Sequence, residues 1–481
     1  MKILMVASEA VPFSKTGGLA DVVGALPQAL SALGHDLGVV LPLYRMTKLE
    51  NPATVFDSLT VPVGPQVHFP AVRTLTRDGV KFYFVDSPVF FDRAALYGTP
   101  AGDYPDNAER FALFCRGAVE IAQLHFRPYV FHCHDWQSAL VPVLLRSVYS
   151  RSPAASRPPV LFTIHNLGYQ GLFHPDVLSQ IGLPAGLFTI DGLEFYGKVN
   201  LLKGGLVFSD AINTVSRGYA REIQTEELGF GLDGLLRHRS AVVSGILNGV
   251  DYAQWDPSTD KHLAAGFGPG RLAGKRQCKQ DLLAAFKMPE ANADRPLIGI
   301  VSRLTVQKGA DLIAQVAEEL MAEDLALVVL GSGEKAYEEL MASLARRFPD
   351  KVGVRIAYDD ALAHKIEAGA DMFLMPSRYE PCGLNQIYSL KYGTVPVVRA
   401  TGGLDDTVED FDPATGAGTG FKFREYTGEA MMEAIRRALQ AFQAPAQWKK
   451  LMANGMAQDY SWGASAAQYA RLYESLAAGR G

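Results

Sequence analysis

The stretch ILMVA at residues 3–7, SEAVPFSKTGG at 8–18 and LADVVGALPQALSAL at 19–33 decides the fold class. Its first five residues are an unbroken apolar run, the mark of a strand buried on both faces. The loop that follows ends on Lys15-Thr16-Gly17-Gly18. From Leu19 to Leu33 apolar residues recur at helical spacing, so a helix is expected there, interrupted by Pro27. Strand, glycine loop and helix together form the repeating unit of a parallel α/β sheet. Working outward, the same unit recurs around Val39-Val40-Leu41, Phe82-Tyr83-Phe84-Val85, Val130–Cys133 and Val160–Ile164.

The rhythm weakens between Asn248 and Arg295, a stretch that holds Trp255-Asp256-Pro257 and the Gly/Pro-rich residues Gly266–Gly270. It restarts at Leu297–Ser302, with a helix expected from about Ala310. Leu325–Leu330, Val352–Ala357, Met372–Met375 and Val395–Val398 read as further strands. The chain is therefore expected to form two doubly wound halves joined near residue 250. Strand order is not readable from one sequence.

The 481 residues are 48% hydrophobic and 20% charged, with a formal net charge of −5. Mean hydropathy is +0.04 and the isoelectric point is near 6.1. This composition excludes a disordered chain, a fibrous repeat and a small disulfide-stapled scaffold. Nothing in it points to a nucleic-acid or membrane-surface partner. Cys115, Cys133, Cys278 and Cys382 form no C-x-x-C pair, which argues against a zinc ribbon or a disulfide framework. The first apolar run is too short for a signal peptide, and none approaches the ~18 residues of a membrane helix. A soluble cytoplasmic protein is expected.

One internal echo spans the halves. Thr16-Gly17-Gly18-Leu19-Ala20-Asp21-Val22-Val23 matches Thr401-Gly402-Gly403-Leu404-Asp405-Asp406-Thr407-Val408 at six of eight positions. Both copies follow an expected strand and open an expected helix. Glycines there let backbone amides approach a ligand, and helix N-termini attract anions. Coincidence plus helix capping is the bland account. Arg303 and Lys308 lie in the loop after Leu297–Ser302, a pairing suited to a diphosphate: Arg as a forked donor, Lys as a point charge. Lys15 adds a third cation at the corresponding loop of the first half. Singly each reads as a solvated surface charge; at three corresponding loops they read as a site. His165-Asn166 closes one strand and Glu380 follows another, where a carboxylate is rarely buried without a partner.

Several patterns are near misses. Gly192-x4-Gly197-Lys198-Val199 lacks the hydroxyl a P-loop needs at Val199. Gly331-Ser332-Gly333-Glu334-Lys335-Ala336 fits a dinucleotide fingerprint but does not follow the first strand of its half, so a tight turn is expected. Asp410-Phe411-Asp412 has the D-x-D form of some sugar transferases, yet sits among turn formers before Pro413. His132 and His134 share one strand face without an evident third ligand. A strand-end role for Asp135 is expected in preference to zinc.

Taken together, Lys15-Thr16-Gly17-Gly18-Leu19-Ala20-Asp21-Val22, His134-Asp135-Trp136, Phe162-Thr163-Ile164-His165-Asn166 and Asn248-Gly249-Val250-Asp251 are distinctive. So are Ser302-Arg303-Leu304 with Gln307-Lys308-Gly309, Glu380-Pro381-Cys382-Gly383-Leu384 and Thr401-Gly402-Gly403. In this order they resemble the bacterial glycogen synthase and starch synthase family. The resemblance implies a GT-B architecture, two Rossmann-like parallel-sheet domains facing a deep cleft. The implied divisions are an acceptor-side domain over 1–250, a nucleotide-sugar domain over 251–455 and a C-terminal helical segment over 456–481 that packs back on the first domain.

The implied reaction transfers glucose from ADP-glucose to the non-reducing end of an α-1,4-glucan, with retention and without metal or other cofactor. Carried over by motif, Arg303 and Lys308 would stabilise the departing ADP, assisted by Lys15. Amides at Gly18, Gly402 and Gly403 would bind phosphate or sugar. His165 and Asn248 would contact glucose, and Glu380 its hydroxyls and developing positive charge. Asp21, Cys382, Gly383, Leu384 and Thr401 would line the substrate, Tyr358 would stack on adenine, and Asp135 and Asn166 would lie toward the acceptor. No residue presents itself as a nucleophile, so same-face attack with the leaving phosphate as base is expected. Related retaining transferases carry a second Glu where this chain has Tyr388, with Gln386 nearby, so no ribose role is assigned there. The alternatives are a glucan phosphorylase using pyridoxal phosphate, an inactive glucan-binding protein, or an NAD enzyme built on Gly331–Ala336. Oligomeric state is left open.

Overall fold

The computed structural model describes residues 1–99, 101–150 and 157–478. The last three residues of the expected 456–481 segment lie outside the described residues. The chain divides into two compact units. Unit 1 holds Met1–Val215, Ala220–Gly249 and the C-terminal stretch from Trp462; unit 2 holds Ser216–Tyr219 and Val250–Ser461.

Unit 1 is built on a nine-stranded sheet. Its strands are β1 (Lys2–Val6), β2 (Asp36–Pro42), β3 (Ala53–Phe56), β4 (Ala71–Arg77), β5 (Val80–Asp86), β6 (Val130–His134), β7 (Val160–Ile164), β8 (Ala211–Thr214) and β9 (Val243–Gly245). The order is β9-β8-β7-β6-β1-β2-β5-β4-β3, parallel except for the antiparallel edge strands β4 and β3. The helix after β1, α1, spans Gly18–Ala32 and runs unbroken through Pro27, contrary to the expected interruption. Leu19, Val22, Val23, Leu26 and Leu30 are buried in the same core as Ile3 and Met5 of β1. That burial outweighs the lost backbone hydrogen bond.

Unit 2 carries a six-stranded, wholly parallel sheet. Its strands are β10 (Leu297–Val301), β11 (Ala326–Leu330), β12 (Val352–Arg355), β13 (Met372–Met375), β14 (Val395–Arg399) and β15 (Phe421–Phe423). Their order, β12-β11-β10-β13-β14-β15, reverses at β10. That is the 3-2-1-4-5-6 arrangement in which ligands bind beyond the carboxyl ends of the strands. Alternate residues feed two cores. Ile298, Ile300, Leu327, Val329 and Leu374 pack on one face; Leu297, Ala326, Val328, Leu330 and Phe373 pack on the other. The strands are hence near-continuous apolar runs, which is why they were legible. The relevant helices here are α2 (Asp360–Gly369), α3 (Asn385–Lys391) and α4 (Gly402–Thr407).

The final helix, α5, spans Trp462–Ala478 and belongs to unit 1. Trp462, Ala466, Tyr469 and Tyr473 lie in the unit 1 core with α1 and β1. The Ser465 hydroxyl donates to the Leu247 carbonyl at 2.7 Å. Among the described residues no helix is long and apolar enough to cross a membrane. All four cysteines are buried, and none is joined in a disulfide.

Candidate active site

In unit 2 the site grows from the carboxyl ends of β10, β13 and β14. After β10 the chain makes one 3-10 turn, Val306–Lys308, and reverses at Gly309 with φ +79°. A Cβ on Gly309 would fall 2.2 Å from the Pro376 carbonyl, so only glycine brings this loop against the end of β13. The reversal delivers Lys308 to Glu380: Nζ lies 2.5 Å from Oε2. The Glu380 side chain is only 7% exposed and also accepts from the Ser377 hydroxyl at 3.1 Å. A carboxylate this deep needs such partners. Lys308 spends one of its three donors on Glu380 and keeps a cationic head at the rim.

Behind the pair is a cavity of about 180 Å³ lined by Ser302, Lys308, Ser377, Glu380, Gly383 and Asn385, among others. Leu384 also lines it, while Cys382 is buried beneath. Arg303 is exposed on the same loop, where its guanidinium donates to Gln307 Oε1 at 3.0 Å. Tyr358, in the turn after β12, is 85% exposed.

The second glycine loop sits directly on the Glu380 loop. Thr401 is buried, and the Gly403 amide donates to the Glu380 carbonyl at 3.0 Å. A Cβ on Gly402 or Gly403 would lie 2.0 Å from the carbonyl of Glu380 or Cys382. The glycines thus permit backbone-to-backbone contact. This corrects one expectation: the Gly403 amide is engaged by protein, so that group does not reach toward a phosphate. Two contacts were not legible in the sequence. The Ser216 hydroxyl donates to the Pro381 carbonyl at 2.5 Å, and the Gly218 amide donates to Asp406 at 2.8 Å.

In unit 1 the first glycine loop is open. Lys15 to Gly18 are exposed, and the Lys15 ammonium pairs with Asp21 Oδ1 at 2.7 Å. The loop is held from below by Glu9, a buried carboxylate just past β1 that sequence reading overlooked. It accepts from the Thr16 amide, from the Thr16 hydroxyl at 2.8 Å and from the Tyr97 hydroxyl at 2.8 Å. Its one sequence signal was a carboxylate directly after an apolar strand.

The ends of β6 and β7 bring Asp135, His165 and Asn166 together. Asp135 has φ +54°, and its Oδ1 accepts from the His165 amide at 2.7 Å. Burial pushes its carboxyl up to about 7, although the His165 and Asn166 amides favour the charged form. Burial drives the His165 imidazole down to about 3, so it is a neutral hydrogen-bonding group. Its Nε2 lies 3.0 Å from His134 Nδ1. The Asn166 side chain accepts from the Gly168 amide at 3.0 Å, fixing the turn. Asn248 is 7% exposed and its Oδ1 is buried with no partner, an acceptor waiting for a donor.

The remaining motifs resolve structurally. His132 uses both ring nitrogens on protein, Nε2 with Thr163 Oγ1 at 2.7 Å and Nδ1 with the Tyr473 hydroxyl at 2.7 Å, so it is no metal ligand. Asp412 caps its own turn, accepting from the Ala414 amide at 2.9 Å, and Asp410 pairs with Arg437 at 2.9 Å. A Cβ on Gly331 would lie 1.8 Å from the Ser302 carbonyl, and Gly333 bridges Leu304, so these glycines let the loop after β11 pack on the loop after β10. Residues 194–200 form a hairpin. Tyr388 stacks on Trp255 with ring centres 3.9 Å apart.

Comparison with known proteins shows the family and the fold. Residues 2–238 match the family described as the starch synthase catalytic domain, and residues 284–452 match glycosyl transferases group 1. The chain is 60% identical to the glycogen synthase of Koribacter versatilis, covering 98% of each chain. It is 50% identical to the glycogen synthase of Anaeromyxobacter dehalogenans strain 2CP-C, covering 99% of this chain and 100% of that one. Among solved structures it is similar to the catalytic domain of starch synthase IV from Arabidopsis thaliana bound to ADP and acarbose. The TM-score is 0.90 at 33% identity, covering 99% of each chain.

Proposed function

Since the chain belongs to the glycogen and starch synthase family of GT-B glycosyltransferases, we propose that it transfers glucose from ADP-glucose to the non-reducing 4-hydroxyl of an α-1,4-glucan. Retention of configuration and release of ADP belong to the same proposal. The observation that carries it is the Lys308–Glu380 pair, 2.5 Å apart at the lip of a cavity beyond the switch point of the unit 2 sheet. The ADP and acarbose bound by the Arabidopsis enzyme favour a nucleoside diphosphate and a glucan as ligands.

In this reading Lys308 and Arg303 neutralise charge that accumulates on the departing diphosphate, with Lys15 assisting, and no metal is needed for that task. Glu380 accepts from the donor sugar's hydroxyls and faces the positive charge at its anomeric carbon. Neutral His165 and the unpartnered Asn248 Oδ1 hydrogen-bond the same sugar. Thr401, Gly402, Cys382, Gly383 and Leu384 shape its pocket; Gly18 and Asp21 shape the loop that presents Lys15. Tyr358 stacks on adenine, while Asp135 and Asn166 face the acceptor. The C1–phosphate bond breaks and the C1–O4 bond forms on the same face, and the O4 proton passes to the leaving phosphate oxygen. A double displacement needs a carboxylate close beneath C1. In this reading Glu380, held through Oε2 by Lys308 and Ser377, serves as an acceptor for the sugar's hydroxyls and not as that nucleophile. Cytoplasmic operation completes the proposal.

The test is transfer of labelled glucose to glycogen from ADP-glucose and UDP-glucose in parallel, with and without EDTA. Incorporation from ADP-glucose that is indifferent to EDTA supports the reading. Incorporation that needs a divalent metal, or that favours UDP-glucose, overturns it.

A further inference from the structure

Apart from the residues above, unit 2 holds a second cluster of ligand-bearing side chains. Asp360 and His364 sit four residues apart in α2, on one face of the helix. His262 approaches from the loop that carries Trp255 and Asp260. One ligand atom from each of His262, Asp360 and His364 lies within 4.8 Å of the others. The rings of His262 and His364 are 4.8 Å apart.

The surroundings of His364 are those of an oriented metal ligand. Its ring is buried, and Nδ1 lies 2.6 Å from Asp260 Oδ2. Asp260 is itself fixed: the Tyr392 hydroxyl donates to Oδ2 at 2.6 Å, and the His262 amide donates to Oδ1 at 2.9 Å. A carboxylate oxygen accepts, so the contact makes Nδ1 the donor and leaves Nε2 as the ring nitrogen that would face an ion. Trp255 lies flat against the ring, with centres 3.6 Å apart and planes within 9°, so the imidazole is held in place. A carboxylate behind a histidine is the support that metal-binding imidazoles commonly receive, fixing tautomer and direction together.

We propose that His262, Asp360 and His364 bind one divalent ion of the zinc class, with Asp260 as the group that orients His364. Two imidazoles and a carboxylate suit Zn²⁺ or Co²⁺, and water takes the fourth position. Bonds of about 2.0–2.1 Å in a tetrahedral site put ligand atoms about 3.3 Å apart. Closing from the observed spacing takes about 1.5 Å, within reach of rotation of the exposed Asp360 and half-buried His262 side chains. The ion would tie the 251–272 loop to α2 and brace the Trp255 ring, whose opposite partner is Tyr388 of α3. It is a structural clamp and takes no part in glucosyl transfer.

The full chain, stripped by chelator and dialysed, is titrated with Zn²⁺ alone by calorimetry and with Co²⁺ alone by visible spectroscopy. One equivalent of Zn²⁺ is expected, with intense tetrahedral Co²⁺ bands that Zn²⁺ abolishes and a rise of several degrees in thermal midpoint. His262→Ala and Asp360→Asn should each lose that equivalent and that rise, while keeping the metal-free midpoint and glucosyl transfer. Absence of stoichiometric binding overturns the proposal. So does binding that persists in both variants, because the ion then lies elsewhere.

Discussion

Lys308 and Glu380 act as one unit, because each is the other's partner at 2.5 Å. Removing Lys308 leaves a nearly buried carboxylate without its counterion, and removing Glu380 frees an ammonium from its anchor. Lys308→Ala and Glu380→Ala should each lower turnover by ~10²–10³, the loss typical of one preorganised charge-stabilising group. The double variant should fall far short of the product of the two losses. Steady-state kinetics on the three proteins reads this directly, and fully multiplicative losses would show that the two act separately. These residues were legible because charge in a strand-end loop is conspicuous. Glu9 was not, because its contacts to Thr16 and Tyr97 depend on tertiary folding. Asn248 was legible only through the family motif; nothing in the sequence shows that its carbonyl oxygen is buried without a donor.

At the scale of elements, β6 and β7 carry buried titratable groups whose linkage has a definite sign. Burial depresses His165 to about 3 and holds His132 and His134 well below the ordinary 6.5. Between their folded values and 6.5 the unfolded chain binds protons that the folded chain refuses. Their contribution is therefore present above about 6.5 and is lost as pH falls. Asp135 acts oppositely: its carboxyl, raised to about 7, holds a proton in the folded state, so its contribution is lost as pH rises from about 4 to 7. Unfolding by urea at pH 5.5 should hence take up protons. His165→Gln should take up about one fewer and Asp135→Asn about one more, counted in weakly buffered solution. Equal uptake in all three proteins would refute the assignment.

The helix α5 meets these strands through Tyr473, whose hydroxyl lies 2.7 Å from His132 Nδ1. Tyr473→Phe keeps the shape and strands a buried ring nitrogen, so a loss of about 1–3 kcal/mol is expected in thermal unfolding. No measurable change would mean that the bond contributes nothing. Strands β1, β2, β5, β6, β7 and β10 to β14 were readable as apolar runs because parallel sheets bury both faces, whereas β3, β4, β8, β9 and β15 were not read. Strand order was not readable, since β10 pairs with β13 across more than 70 residues of chain. Pro27 misled because local propensity cannot register the core packed around α1.

On the scale of the whole molecule, two units with separate cores make up the chain, and each presents one glycine loop of the TGGL type. The loops are alike in sequence and different in use. Thr16–Gly18 is exposed and presents Lys15, whereas Thr401–Gly403 is buried against the Glu380 loop. Their likeness was visible in the sequence; their divergence was not, since it lies in the contacts of Gly402 and Gly403 with the Glu380 and Cys382 carbonyls. The net charge is −5, from 46 basic and 51 acidic side chains, so the cations of the strand-end loops stand on a nearly neutral background. The most direct measurement of the central claim is a proton NMR time course with ADP-glucose and a malto-oligosaccharide in phosphate-free buffer. The account predicts growth of the α-1,4 anomeric signal in step with release of ADP. A β-anomeric product, or chain growth and shortening that occur only with glucose 1-phosphate or inorganic phosphate, would contradict it.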